Sequence, residues 1–181
     1  MPPITAILAH TPIWVYVLFF FLVSRGVKAL RAGEVTLAKL AVVPVLLTVW
    51  GVYDLVRIYG LSPASIVPWA GAGCVGALVG WLLIRTGPVQ VDRARGVIAR
   101  PADYTVLPLV LLTFAVKYTF GVMGVVAPEL LVSRAVWVLD LTFSGFIAGI
   151  FVGKFCCYAS RYFAAPRLPS SELLKISRYG R

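Results

Sequence analysis

Long runs of Val, Leu, Ile, Phe and Ala, each about 20 residues and nearly free of charge, decide what this chain can fold into. A helix rises 1.5 Å per residue and hydrocarbon is ~30 Å thick, so about 20 apolar residues make one crossing. Five such runs occur, at roughly 12–30, 35–59, 63–85, 104–126 and 128–155. Composition agrees: 60% of residues are hydrophobic, 13% are charged, and mean hydropathy is +0.92. Soluble domains are about half apolar and a quarter charged. The fold expected is all-α, a polytopic membrane protein with five transmembrane helices in one domain over 1–165 and a basic tail over 166–181.

Thr11 and Pro12 suit the cap and first turn of the first span, and Pro44 predicts a kink in the second. The third opens at Ser62-Pro63, and the fifth runs on from Pro128 until Pro166 stops it. The N-terminus has neither a basic n-region nor a small-residue cleavage site, so the first run is expected to stay in the mature protein.

Net charge is +10, from 17 Lys+Arg against 7 Asp+Glu. The basic residues cluster between spans and form no aromatic-interleaved stripe, which argues against a nucleic-acid partner. Arg25, Lys28, Arg31 and Lys39 follow the first span. Arg85, Arg93, Arg95 and Arg100 follow the third, and Lys154, Arg161, Arg167, Lys175, Arg178 and Arg181 follow the fifth. That places fourteen of the seventeen on one side. The connections at 60–62 and 127–129 contain none. The positive-inside rule then puts the N-terminus outside and the C-terminus in the cytoplasm. Trp14, Tyr59, Trp69 and Trp137 fall where an outer aromatic belt would lie. Between 85 and 101, Val89, Val91 and Val97 around a polar turn fit a small hairpin and a solvated loop about equally. The tail, with Ser170 as a candidate cap, suits the anionic inner leaflet or a docking partner.

Three basic residues, Arg57, Lys117 and Arg134, lie inside spans, as do Asp54, Glu129 and Asp140. A lone charge near the bilayer centre costs at least ~2.5 kcal/mol, so these six are expected to pair. Asp54 and Arg57 share a helix face with Trp50 at ordinary α spacing, as do Ser133, Trp137, Asp140 and Ser144. Lys117 is expected to meet Asp140 or Asp54, while Arg57 and Arg134 reach the remaining carboxylates or headgroups, with His10 overhanging the same region. Two readings stay open. The cluster either specifies which helices meet or forms an outward-facing polar pocket.

Gly145, Gly149 and Gly153 repeat every four residues, as do Gly76 and Gly80. Small residues at this spacing let helices approach closely, either within the chain or across a homodimer seam. Cys74, Cys156 and Cys157 have no metal-ligand spacing, and the adjacent pair cannot close an unstrained disulfide. The single His10 excludes a multi-histidine centre built from this chain alone. No nucleophile elbow, HExxH or P-loop pattern is present, so no catalytic residue, metal or cofactor is expected.

His10-Thr11-Pro12-Ile13-Trp14-Val15, Arg100-Pro101, Leu107-Pro108-Leu109 and Phe114-Ala115-Val116-Lys117-Tyr118 are similar to an uncharacterised family. Gly121, and Gly145, Gly149 and Gly153 before Lys154, extend the likeness to that family of small multi-spanning proteins of Gram-negative inner membranes. The resemblance covers roughly 7–160. It implies inner-membrane residence and marks the Lys117-Tyr118 step, and it transfers no activity. The function expected is a non-enzymatic ligand- or lipid-binding or accessory membrane component. Its partners are membrane lipids, a second copy or another membrane protein. The alternatives are a small proton- or ion-coupled transporter and an intramembrane enzyme using His10.

Overall fold

The computed structural model describes residues 13–93, 95–126, 129 and 133–165. Expectations for His10, Thr11, Pro12, Pro128 and the 166–181 tail lie outside them. The order of elements is helix α1 (Ile13–Ala29), strand β1 (Gly33–Thr36), helix α2 (Leu37–Asp54), a π-helical turn (Leu55–Tyr59) and helix α3 (Pro63–Arg85). Strands β2 (Gln90–Asp92) and β3 (Val97–Arg100) and helices α4 (Val106–Val126) and α5 (Arg134–Ala164) follow. Among the described residues, four helical stretches are long and apolar enough to cross a membrane: Leu37–Tyr59, Pro63–Arg85, Val106–Gly124 and Arg134–Ala164. Helix α1 is described over 17 residues, at the lower end of the lengths that cross a bilayer. These helices mark a membrane protein.

Two starting points differ from expectation. The second span begins as a strand rather than a helix, because Gly33–Thr36 pairs antiparallel with β3, Val35 opposite Ile98. The Thr36 hydroxyl then accepts from Lys39 N–H and starts α2. The fifth helix begins at Arg134 with Ser133 as its cap, and continues to Ala164, so Lys154 is inside it and not in a loop.

The 85–101 stretch is a hairpin. Val91 faces Ile98, Asp92 Oδ1 accepts from Arg95 N–H, and Gly96 takes the positive φ of 66° that the reversal needs. With β1 it forms a three-stranded sheet in the order β1-β3-β2. Ile98 is fully buried, packed with Ile84, Cys157 and Tyr158 at one end of the bundle. The main core sits between α1, α2, α4 and α5, built from Leu22, Val43, Leu47, Val110, Phe114, Ile147, Ile150 and Phe151.

Helices α3 and α5 pack backbone to backbone. A Cβ added at Gly145, Gly149 or Gly153 would fall inside the carbonyl oxygens of Trp69, Gly73 or Ala77, and one at Gly76 or Gly80 inside those of Phe146 or Ile150. All five glycines are therefore consumed by an intramolecular interface, which removes them from any homodimer seam. With no hydrophobic force between helices in lipid, the van der Waals packing that this close approach allows is what favours such a pair.

Candidate functional site

The site begins at the end of α2. After Asp54 the helix widens into the π turn Leu55–Tyr59. With i→i+5 spacing, residue i+5 returns to the face of residue i, whereas residue i+3 does not. Tyr59 therefore shares the face of Asp54, and Arg57 leaves it. Gly60, at φ 74°, ends the turn, and Ser62 and Ser65 cap α3 reciprocally. Ser65, fully buried, also donates to Gly60 C=O at 2.6 Å, which fixes the reversal that presents Tyr59.

Lys117 projects from α4 between two carboxylates. Its Nζ is 3.0 Å from Asp54 Oδ2 on α2 and 3.0 Å from Asp140 Oδ1 on α5. Tyr59 Oη donates to Asp140 Oδ2 at 2.8 Å, and its ring stacks on Trp137 at 5.9 Å. The side chains of Lys117, Asp54 and Asp140 are 11%, 14% and 3% exposed. One ammonium thus binds three helices through two carboxylates. The trio's formal charge is −1, and the Tyr59 hydroxyl is a further donor to it. On the core side of Lys117, among the described residues, a space bounded by Gly51, Thr113 and Ser144 measures about 10 Å³, room for about one water molecule.

The other expected members are elsewhere. Arg57 is exposed and, instead of reaching a carboxylate, donates to Tyr53 Oη at 2.7 Å and lies over its ring. Arg134 is exposed at the start of α5 and makes no ion pair among the described residues; Tyr118 is 40% exposed on the outside of α4. His10 lies outside the described residues. Tyr59 and Trp137 stack on each other, and Trp69 lies against Gly51, its indole Nε1 buried without a hydrogen-bond partner.

A second buried pair was not anticipated. Lys154, 4% exposed on α5, donates to Asp103 Oδ2 at 2.8 Å and to the Thr105 hydroxyl. Asp103 Oδ1 also accepts from Thr105 Oγ1 at 2.6 Å and Thr105 N–H at 3.0 Å, while Asp103 N–H donates to Ala29 C=O at 2.8 Å. Burial alone would push the Asp103 carboxyl up. The Lys154 ammonium and the Thr105 donors outweigh it and hold the carboxyl below its ordinary value. The sequence signal was present in Asp103-x-Thr105, an Asx-type turn before a helix. It was obscured because Lys154 counted as a loop charge.

A model for a family of unknown function covers residues 2–170, a stretch that includes both pairs and the four helices long and apolar enough to cross a membrane. The chain belongs to that family, DUF6622. No curated protein and no solved structure matches it. Membership of DUF6622, a family of unknown function, brings no activity with it.

Proposed function

We propose that the chain is a non-enzymatic accessory component of a bacterial inner membrane, in which the charged cluster fastens helices instead of receiving a ligand. The closure of that cluster carries the reading. Lys117 is saturated by carboxylates from two other helices, Tyr59 completes Asp140, and among the described residues the space beside Lys117 has room for about one water. A pocket for a small molecule would need roughly 300 Å³ or more. Five spans with the N-terminus outside remain our reading of the topology. Helix α1, at 17 residues, reaches about 26 Å, and the cations beyond it gather with those of the sheet at one end. The exterior suits lipid or a neighbouring helix: Val45, Val49, Val52 and Val56 form an exposed stripe along α2 and the π turn. Through such faces the bundle would engage membrane lipids, a second copy or a partner membrane protein.

One observation favours a proton-coupled transporter as the second reading. The cluster has one carboxylate more than it has ammonium groups, so a proton taken up by Asp54 or Asp140 would let Lys117 shift between them. Replacing all three with Met and Asn, as Lys117→Met, Asp54→Asn and Asp140→Asn together, separates the two. Under helix fastening the triple variant regains folded protein and complements whatever cellular defect deletion reveals. Under proton coupling it regains folded protein alone, and wild-type proteoliposomes show flux that collapses with the proton gradient.

A further inference from the structure

At the sheet end of the bundle, away from the Lys117 cluster, a cavity of about 290 Å³ opens between the last turn of α1, β1, the start of α2, the turn before α4, and α5. Six cations line it: Arg25, Lys28, Arg31, Lys39, Arg100 and Lys154. Only two carboxylates do, and both are engaged. Asp103 is held by Lys154 at 2.8 Å, and Glu34 by Arg95 at 3.1 Å. Among the described residues the other five cations make no ion pair. Among the described residues, the side-chain hydrogen bonds of Arg25 and Arg100 go to neutral carbonyls. Arg25 donates to Lys39 C=O, and Arg100 to Ala29 and Lys28 C=O at 3.2 and 3.3 Å. These bonds orient the guanidinium groups and leave their charge uncompensated, and Arg100 Nε is buried without any partner. The same hollow has an apolar side, formed by Val43, Pro44, Val106 and Phe151.

An ordinary solvated basic surface accounts for exposed Lys28, Arg31 and Lys39. It does not account for guanidinium groups fixed by carbonyls around an apolar-sided hollow at the ends of spanning helices. That combination matches an anion with hydrocarbon attached. Arginine forks suit phosphate oxygens, and basic pockets between helices at a membrane surface take anionic headgroups. We propose that this cavity binds the phosphate-ester headgroup of an anionic glycerophospholipid, with Arg25, Arg31, Lys39 and Arg100 toward the phosphate and the first acyl carbons against Val43, Pro44 and Phe151. The volume lies at the lower limit of ligand pockets, which fits a headgroup and its nearest carbons and not a whole lipid. The inference rests on membrane residence and is independent of the fastening role of Lys117.

The test uses the full chain in neutral detergent, with lipid retention read by native mass spectrometry. The probes are phosphatidylglycerol, phosphatidylcholine and inorganic phosphate. Phosphatidylglycerol should be retained at least about tenfold better than phosphatidylcholine, and millimolar inorganic phosphate should not displace it. Arg31→Gln and Lys39→Gln, both at exposed positions, should each weaken retention about fivefold with the thermal midpoint unchanged. The charge-keeping Arg31→Lys should retain most of the binding if Arg31→Gln proves unstable. Equal retention of the two lipids, or wild-type retention by the glutamine variants, overturns the proposal. Full displacement by inorganic phosphate overturns the lipid assignment and makes the free anion the ligand.

Discussion

Lys117→Met keeps the side-chain volume and deletes the charge that two carboxylates share. Asp54 and Asp140, each 3.0 Å from the missing ammonium, are then left facing one another at 14% and 3% exposure. Two magnitudes compete. If the loss were only that of interhelical hydrogen bonds, which in membranes average ~0.6 kcal/mol, the variant would be almost silent. Removing one partner of a buried ion pair and leaving the other uncompensated costs about 3–5 kcal/mol, and here two carboxylates lose the same cation. The second term dominates, and it is a large share of the roughly 5–15 kcal/mol that holds a typical domain folded. Unfolding in mixed micelles of increasing SDS content, followed by tryptophan fluorescence, should show a loss of about 3 kcal/mol or more. Adding Asp54→Asn and Asp140→Asn should restore most of it. A Lys117→Met midpoint within about 0.5 kcal/mol of wild type, the scatter of a neutral surface change, would refute the reasoning.

Tyr59→Phe removes one donor from buried Asp140 and should cost about 1.5–3 kcal/mol in the same assay, the range for a hydrogen bond to a charged group. Gly149→Leu should abolish folded monomer in size-exclusion chromatography, since its side chain would have to displace the backbone of Gly73 on α3; Gly121→Leu, with open space around it, should be tolerated. Asp103 gives a pH signature. Its folded carboxyl is held below the ordinary 3.8, so the stability it contributes is complete above about pH 4 and is lost as pH falls through the lowered folded value. Thermal midpoints should therefore fall more steeply below pH 4 in wild type than in Asp103→Asn, which should be less stable at neutral pH.

What the sequence disclosed follows from what a bilayer forbids. Lys117, Asp54 and Asp140 were legible together because a charge inside a span must find a partner, and only a few opposite charges shared its depth. The α3–α5 glycines were legible for a similar reason, since small residues every four positions serve close helix approach. Arg57 departs from its expected face, and Tyr59 reaches Asp140, because nothing in Leu55–Tyr59 announces a π turn in place of α spacing. Strand β1 was hidden because Gly33–Thr36 runs directly into an apolar helix, and its pairing with β3 joins segments more than 60 residues apart. The Lys154–Asp103 pair escaped notice because α5 continues ten residues beyond Lys154, burying a cation that loop counting had assigned to water.

The direct measurement is solid-state NMR of the protein in lipid, with 15N in the lysine side chains and 13C in the aspartate carboxyls, Lys117 being assigned by its absence in Lys117→Met. Lys117 Nζ should show strong dipolar contacts to the carboxyl carbons of both Asp54 and Asp140, as its two 3.0 Å N–O distances require. A contact to neither carboxyl, or to Asp140 alone with Asp54 turned away, would contradict a single ammonium holding three helices.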